Sequence, residues 1–508
     1  MTHRCYSIPG AITIDAIRSE LTRLFDGIRE LAGTETVEVL DSFDWRLFKK
    51  GWLLLKTQKY YTIVDIHSRQ QLARVAADER KPRRFHWKFP ESKVAACLGD
   101  TLEMRALLPL GEIKKQWIDH DLLNSDEKIV ARLTVETYGA NGGMEPVRQC
   151  RLKPVRGYTK AANQVANSLE KLGLVPAELS PILCVLIRNG LAPGGYSSKI
   201  NILLKPETTA AEAVRCIMKD LVSVMHVNLP GVRQDIDTEF LHDFRVSVRR
   251  ARSLLSQMRG VLDAGTAANL QLRLKAMGAA TGNVRDLDVY LLKKAEYINL
   301  SPDVLKPGIS RLFKTLKRKR RYARDRMINA MATTDFKNAL ADLDAFVDSD
   351  PLVTSDAPHS SLPIGELAKV VIYKRYRRII EKGGQVSEST PDKHLHNLRI
   401  ECKKLRYLLE FFTSLFPEDQ MKILVKQLKQ LQENLGDFND LSVQQAFLIN
   451  YLQSIQPQAS HAVMLAAATG GLIARLHVTH GQVRSQFFGV FSEFNASANQ
   501  KRFETLFT

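Results

Sequence analysis

The stretch LHDFRVSVRRARSLL, residues 241–255, combines the periodicity of an amphipathic helix with a high density of positive charge. At about 100° per residue, four of its basic side chains fall on a stripe about 80° wide. The members of this stripe are His242, Arg245, Arg249 and Arg252. A fifth basic residue, Arg250, lies to one side. The opposite face is apolar, so the segment predicts a helix that packs on a core and presents positive charge to solvent or to a ligand.

A second copy of this stretch follows 154 residues later as LHNLRIECKKLRYLL, residues 395–409. The same gapless shift places GNVRDLDV, 282–289, on GDFNDLSV, 436–443. Residues 210–289 and 364–443 thus repeat in register, which indicates that one structural unit is duplicated. The second stripe comprises His396, Arg399, Lys403 and Arg406, with Lys404 at the position of Arg250.

Helical periodicity continues through both copies. The helical runs are 210–227, 238–262, 267–279, 364–380, 394–416 and 420–434. The expected turns are NLPG at 228–231, KGGQ at 382–385, FPED at 416–419 and the glycines Gly282 and Gly436. Residues 205–508 are therefore predicted to form an all-α domain of two pseudo-symmetric helical bundles, connected by the segment 344–362.

Residues 1–200 follow a different pattern. Short runs rich in β-branched and aromatic residues alternate with helical segments near 13–32 and 160–173. The expected strands are 35–40, 52–56, 60–66, 84–89, 130–138 and 147–153. This pattern predicts a separate α+β domain, with a barrel as one arrangement of its strands.

The composition describes a globular protein with an excess of positive charge. With 508 residues, of which 44% are apolar and 25% charged, the chain is long enough for two or three cores. Its net charge of +18 favours an acidic partner such as nucleic acid, anionic lipid or polyphosphate. Six cysteines without CxxC spacing argue against a disulfide framework and a zinc site, and suit a reducing cytosol.

The sequence favours a cytoplasmic protein without a membrane partner. The start MTHRCYSIPG lacks the apolar core of a secretory signal. The most hydrophobic run, 181–187, is too short to cross a bilayer.

The two basic stripes have a structural and a functional interpretation. A charged helix face is most often solvated surface, but such faces usually alternate in sign, and these stripes hold no acidic residue. Like charges three and four residues apart cost stability unless an anion relieves their repulsion. Arginine forks suit phosphate oxygens, and a stripe about 10 Å or more long matches several phosphates in a row. The pattern therefore favours binding of a linear polyanion.

Three further features allow more than one interpretation. His242 and His396 have no second metal ligand at i+3 or i+4, so a metal site is disfavoured, and a polyanion would favour their protonated form. Asp286 and Asp440 are interpreted as helix-capping or salt-bridging groups in preference to metal ligands or catalytic acids. The basic run 311–326 is either a nucleic-acid patch or a solvated helix face.

The doubled pattern H-x-x-R-x-x-x-[RK]-[RK]-x-R, with its downstream glycine and aspartate, resembles the CHAD family, the conserved-histidine α-helical domain, over about residues 205–508. The resemblance implies two facing helical bundles whose basic residues line a groove or pore and bind inorganic polyphosphate. The implied contacts are His242, Arg245, Arg249, Arg250, Arg252, His396, Arg399, Lys403, Lys404 and Arg406. One departure is Asn439, which stands where the first copy has Arg285.

Residues 1–200 are similar to a degenerate CYTH domain, a triphosphate-tunnel barrel that often precedes CHAD. The similarity rests on DSFDWRLFKKGWLLLK at 41–56, RRFHWKF at 83–89 and the helix at 160–173. The opening Glu-x-Glu-x-Lys of that family is missing, and the late strand that should carry glutamates reads VRQCRLKPVRG at 147–157. Because metal-dependent phosphoryl chemistry needs carboxylates to hold the cation, their loss argues against hydrolysis.

The sequence thus predicts a non-catalytic polyphosphate-binding protein without a cofactor or a metal. The resemblance further implies association with polyphosphate granules. Two alternatives remain: a metal-dependent triphosphate or tripolyphosphate hydrolase that uses residues 1–200, and a nucleic-acid-binding protein that uses 311–326.

Overall fold

The chain folds into a β-rich unit followed by an all-helical unit, as a computed structural model of the protein shows. The units are Met1–Ser197 and Ser198–Thr508, where the sequence predicts domains at 1–200 and 205–508. The described residues are 4–78, 83–140, 145–350, 356–458 and 460–508. The predicted fold class, an α+β domain followed by an all-α domain, is confirmed.

The N-terminal unit is built on one antiparallel sheet. Its strands are β1 (Arg4–Ser7), β2 (Gly27–Asp41), β3 (Trp52–Lys56), β4 (Tyr60–Asp65), β5 (Gln71–Ala76), β6 (Leu108–Leu123), β7 (Ile129–Ala140), β8 (Val147–Pro154) and β9 (Val175–Pro176). They are hydrogen-bonded in the order β5-β4-β3-β2-β6-β7-β8-β1-β9. Residues of every strand from β2 to β8 line one cavity, so the sheet curves around it in the manner of a barrel.

Five helices accompany this sheet in the described part of the unit. They are α1 (Ile14–Leu24), α2 (Arg46–Lys49), α3 (Lys93–Leu102), α4 (Thr159–Lys171) and α5 (Pro181–Arg188). Helices α1 and α4 bury Ile17 and Leu169 in a core shared with Leu133 and Leu152 of the sheet. This shared core fixes both helices to the outer face of β7 and β8.

Two local predictions for this unit are wrong. The predicted strand 84–89 is a 3₁₀ turn, His86–Lys88, in which the rings of Phe85 and Trp87 stack at 4.6 Å. The predicted helix 13–32 ends at Leu24, and Gly27 already pairs with Leu123 of the long strand β6. Pairing across the sheet, which local sequence does not encode, decides the second of these segments.

The C-terminal unit consists of eleven α-helices in its described residues. They are α6 (Ala210–Gln234), α7 (Thr238–Gln257), α8 (Ala264–Leu292), α9 (Lys294–Asn299), α10 (Lys306–Ala332), α11 (Thr334–Asp348), α12 (Ile364–Gly384), α13 (Asp392–Phe411), α14 (Glu418–Gln453), α15 (Ala462–Phe494) and α16 (Ser497–Phe507).

The two copies of the internal repeat fold into two related helical bundles. Helices α12, α13 and α14 each begin 154 residues after α6, α7 and α8, and α13 also ends 154 residues after α7. Within each half these three helices pack in sequence, α10 packs on α8, and α15 packs on α14. Helices α11 and α16 cover α6 and α12 in equivalent ways. The prediction of two pseudo-symmetric bundles is therefore confirmed.

The apolar faces predicted for α7 and α13 form the core of the two halves. Every predicted member is at most 4% exposed: Phe244, Val248, Ala251, Leu255 and Met258 on α7, and Leu398, Cys402, Leu405, Leu409 and Phe412 on α13. Burying these side chains orients each helix and leaves its basic stripe on the opposite side.

Three of the predicted turns between helices lie inside continuous helices. Helix α8 continues through Gly282 and α14 through Gly436, while α6 continues through Pro230 as far as Gln234. One internal proline removes a single backbone donor, and packing of the buried faces outweighs that loss. The predicted connection 344–362 begins inside α11, and its part 351–355 lies outside the described residues.

By length and composition alone, α15 is apolar enough to cross a membrane. Core helices of soluble proteins pass the same test. Here α15 packs against α14 and α10, and 28% of its most apolar window is buried. The predicted most hydrophobic run, 181–187, lies elsewhere, in the short helix α5.

Candidate functional site

Helices α7 and α13 pack against each other, and parts of their two basic stripes meet in one cleft. The cleft has a volume of about 380 Å³ and is completed by α14 and the segment 198–199. Its basic lining residues are Lys199, His242, Arg249, Arg250, Arg399, Lys403, Arg406 and Lys429. The duplication therefore brings the two copies of the motif to one place.

The charge of the cleft is unbalanced. Seven lysine and arginine side chains face three carboxylates, those of Asp243, Glu410 and Glu433. Glu410 accepts hydrogen bonds from Arg250 at 2.8 Å and from Arg406 at 2.7 Å. The ion pairs of the described residues include neither Arg249 nor Lys403. An excess of positive charge thus lines the space between the two helices.

The pKa values show that positive charges of the two halves act on each other. The pKa of Lys403 is lowered to about 8, first by burial and then by Arg399 and Arg249. Burial also lowers the pKa of Arg399, and Arg249 lowers it further. Arg249 belongs to the first half and the other two residues to the second. An anion bound between them would relieve this repulsion.

Six of the ten predicted contacts line the cleft: His242, Arg249, Arg250, Arg399, Lys403 and Arg406. Arg250 differs from the others because its side chain is only 10% exposed. Its guanidinium donates to the carbonyl oxygen of Ser198 at 2.7 Å and to Glu410. Arg250 therefore fixes the wall of the cleft more than it presents charge to a ligand.

The other four predicted contacts lie outside the cleft lining. Arg245 donates through Nη1 to the carbonyl oxygen of Gly278 at 2.7 Å and to Thr281 Oγ1 at 2.8 Å, both on α8. His396 Nδ1 lies 2.6 Å from Oδ1 of Asn439. Arg252 is exposed, and the Lys404 ammonium lies 3.9 Å from Glu401, one turn earlier on α13. Sharing a helix stripe does not place all members in one site.

The helix-capping interpretation of Asp286 and Asp440 is wrong, because both lie inside helices, α8 and α14. The salt-bridge alternative holds for Asp440, whose Oδ1 lies 3.6 Å from Arg399 Nη2. Over the described ranges, no three His, Cys, Asp or Glu side chains are grouped to hold a metal ion.

The lining residues that were not predicted as ligand contacts include Lys199, Tyr407 and Lys429. A signal for Lys429 exists in the repeat, since the 154-residue shift aligns it with Lys275. Lys199 and Tyr407 have no such signal. They line the cleft because of how the segment 198–199 and α13 are placed in the fold.

The N-terminal unit contains a separate cavity of about 650 Å³. Its most buried charge is Glu136, which lies 3.2 Å from both Lys115 and Arg151. Burial alone would raise the pKa of Glu136, but Lys115 and Arg151 lower it. Arg148 lies outside the lining and donates to the carbonyl oxygens of residues 10 and 12. The Glu136 carboxylate is therefore already paired with cations of the protein.

A further basic surface lies on α10, within the run 311–326. Lys314, Lys317, Arg318 and Arg321 are exposed and recur at helical spacing. Arg320 of the same run instead bonds Asp235 and Asp288 and secures the helix to its neighbours. Arg324 likewise donates to the carbonyl oxygen of Arg233 at 3.0 Å, so the run contains structural arginines as well as an exposed basic stripe.

Comparison with known proteins gives a family match within the helical region. Residues 216–449 match the family model of the CHAD domain. Two uncharacterized proteins of Mycobacterium tuberculosis, from strains CDC 1551 and H37Rv, are each 25% identical over 282 residues, or 52% of this chain. The chain spans about half the length (52%) of these curated relatives.

Two solved structures are similar to this chain. The CHAD domain of the plant Ricinus communis is 23% identical, with a TM-score of 0.49, and the match covers 58% of this chain and 96% of that one. PptA from Streptomyces chartreusis is 15% identical, with a TM-score of 0.45, covering 56% of this chain and 100% of that one.

Proposed function

Because residues 216–449 match the family model of the CHAD domain, we propose that this chain binds inorganic polyphosphate in the cleft between α7 and α13. The observation that carries the proposal is the convergence of Arg249, Arg399 and Lys403. Positive charges from both halves lie close together there. Burial and the repulsion from Arg399 and Arg249 lower the pKa of Lys403. A bound polyanion converts this repulsion into attraction.

A chain of phosphates suits the cleft better than a single phosphate does. The α7 residues that line the cleft extend from His242 to Arg250, which is about 12 Å of helix. Arginine side chains on both walls offer paired N–H donors to successive phosphate groups. His242 and Tyr407, which also line the cleft, supply further hydrogen-bonding groups.

We propose that binding is not coupled to hydrolysis. Glu136, the most buried carboxylate of the N-terminal cavity, is engaged by Lys115 and Arg151, which leaves it poorly suited to hold a divalent cation. The unit then serves as a secondary basic surface or a partner site. Phosphate release from tripolyphosphate with Mg²⁺ or Mn²⁺ would instead establish the hydrolase alternative.

Nucleic acid is the second candidate ligand, favoured by the exposed stripe of α10. Lys314, Lys317, Arg318 and Arg321 could contact phosphates of a nucleic-acid backbone. The proposed cellular setting is the same for either ligand: the cytoplasm, with association to polyphosphate granules if polyphosphate is the ligand.

A competition experiment in a salt titration separates the two ligands. Long-chain polyphosphate is expected to bind with an affinity that falls steeply with salt, because counterions are released. Short DNA or RNA at equal phosphate concentration is expected to displace little of it. Measurement by fluorescence anisotropy of labelled polyphosphate checks both points. Displacement by nucleic acid at equal phosphate concentration would show that the proposed polyanion is the wrong one.

Polyphosphate binding is expected to weaken as pH rises above 8. The pKa of Lys403 is about 8 in the free protein, and a bound anion raises it. Below pH 8 the lysine is already protonated and affinity is insensitive to this group. Above pH 8 the protein must take up a proton on binding, so affinity falls by up to about tenfold per pH unit.

The control for this pH dependence is Lys403→Arg, because a guanidinium stays protonated throughout the range. Binding isotherms from pH 7 to 9.5 are expected to be flatter for the variant than for the wild-type protein. An identical decline in both proteins would assign the pH dependence to another group.

A further inference from the structure

A second group of positive charges, here called the Glu401 cluster, lies where α12 packs against α13. Four cationic side chains surround the carboxylate of Glu401, which is 7% exposed. Arg375 is hydrogen-bonded to this carboxylate. The nearest charged atoms of Arg378, Lys382 and Lys404 lie 3.7, 3.5 and 3.9 Å from Glu401 Oε1.

One carboxylate does not balance the Glu401 cluster, which retains three unmatched positive charges. The side chains of Arg378 and Lys382 are 54% and 34% exposed, so the cluster opens to solvent. Nε of Arg375 is buried without a hydrogen-bond partner. The partly exposed side chains of Arg378 and Lys382 thus give the cluster an accessible side from which an anion could approach.

The cluster has no counterpart in the first half. At the positions 154 residues earlier, Arg375, Arg378, Lys382 and Glu401 are replaced by Leu221, Val224, Asn228 and Ser247. All four of these residues are buried. The cluster is therefore an addition to one half and is not a consequence of the duplication.

The cluster adjoins the cleft on α13 itself. Lys403 lines the cleft, and the next residue, Lys404, belongs to the cluster. Consecutive helical residues are about 100° apart around the axis, so the positive surface continues around one side of α13. A ligand that leaves the cleft on this side meets further cations.

We propose that the Glu401 cluster is a second phosphate-binding site, which takes the part of a long polyphosphate chain that extends beyond the cleft. This inference rests on the proposed function of the cleft. Arg378 and Lys382 would donate to phosphate oxygens, while Glu401 keeps Arg375 and Lys404 in position. The cluster would thereby give the protein a preference for long chains over short ones.

The test compares two chain lengths in the full-length protein. Arg378→Gln/Lys382→Gln is expected to weaken binding of long-chain polyphosphate about tenfold at 0.1 M salt and to reduce the salt slope by about two. Binding of a chain of about five phosphates, short enough for the roughly 12 Å of α7 that lines the cleft, is expected to stay unchanged. Anisotropy titrations at several salt concentrations measure both quantities.

The matched control is Lys337→Gln/Lys501→Gln, which removes the same charge from exposed positions on α11 and α16. Circular dichroism verifies folding, and the single variant Arg378→Gln offers a milder replacement. Equal binding of long chains by the cluster variant and the control overturns the inference, as does equal weakening for both chain lengths. Wild-type protein that binds neither chain overturns the proposed function itself.

Discussion

Replacing Arg249 and Arg399 together by glutamate is expected to weaken polyphosphate binding by more than about 100-fold at 0.1 M salt. The two side chains come from different halves and both line the cleft, and Arg249 contributes to lowering the pKa of Arg399. Reversal removes two phosphate contacts and adds two repulsive charges. A filter-binding or anisotropy titration with long-chain polyphosphate measures the loss.

The control carries the same change in net charge away from the cleft: Lys337→Glu/Lys501→Glu. Arg249 is exposed, whereas the Arg399 side chain is only 16% exposed and lies 3.6 Å from Asp440, so circular dichroism of both double variants verifies folding. Retained affinity in Arg249→Glu/Arg399→Glu, with intact circular dichroism, would rule out the cleft as the binding site. Loss of affinity in the control would assign binding to overall charge.

Gly383→Ala is expected to lower the free energy of unfolding by about 1–3 kcal/mol. Gly383 lies in the last turn of α12, where an added Cβ would overlap the ring of Phe491 on α15. Phe491 is 8% exposed and packed, so its ring has little room to move away. Urea denaturation, followed by circular dichroism, gives the difference in stability.

The neighbouring glycine provides a matched comparison. A Cβ at Gly384 meets nothing within 4 Å. Gly384→Ala is therefore expected to be neutral or to stabilise α12 by up to about 1 kcal/mol, since alanine favours helix over glycine. Equal midpoints for both variants would mean that the contact between α12 and Phe491 is not tightly packed.

The repeat accounts for most of what is predictable about the helical unit. A gapless 154-residue shift aligns both the apolar faces and the basic stripes of α7 and α13, and the two helices have equivalent limits. Periodicity is a local property, because each side chain's direction on a helix follows from its position in the chain. For the same reason all ten predicted apolar residues of the two helices are buried.

Secondary-structure predictions from local sequence were wrong where long-range contacts determine the backbone conformation. Strand β6 was not predicted, although it pairs with β2 along its whole length and with β7 beside it. Gly282 and Gly436 suggest helix ends, yet α8 and α14 continue because packing on both sides outweighs the intrinsic preference of glycine. In each case the deciding partner is distant in sequence.

The sequence by itself determined the duplication, the helical unit and the charge of the two stripes, because these depend on spacing along one chain. Only the tertiary structure decided which charges share a site. In the folded protein Arg245 donates to α8, His396 lies next to Asn439 and Lys404 lies near Glu401. Arg249, by contrast, lies close enough to Lys403 to lower its pKa, as Arg399 does. The physical reason is that helix periodicity fixes the direction of a side chain, whereas its partners depend on which helix packs opposite.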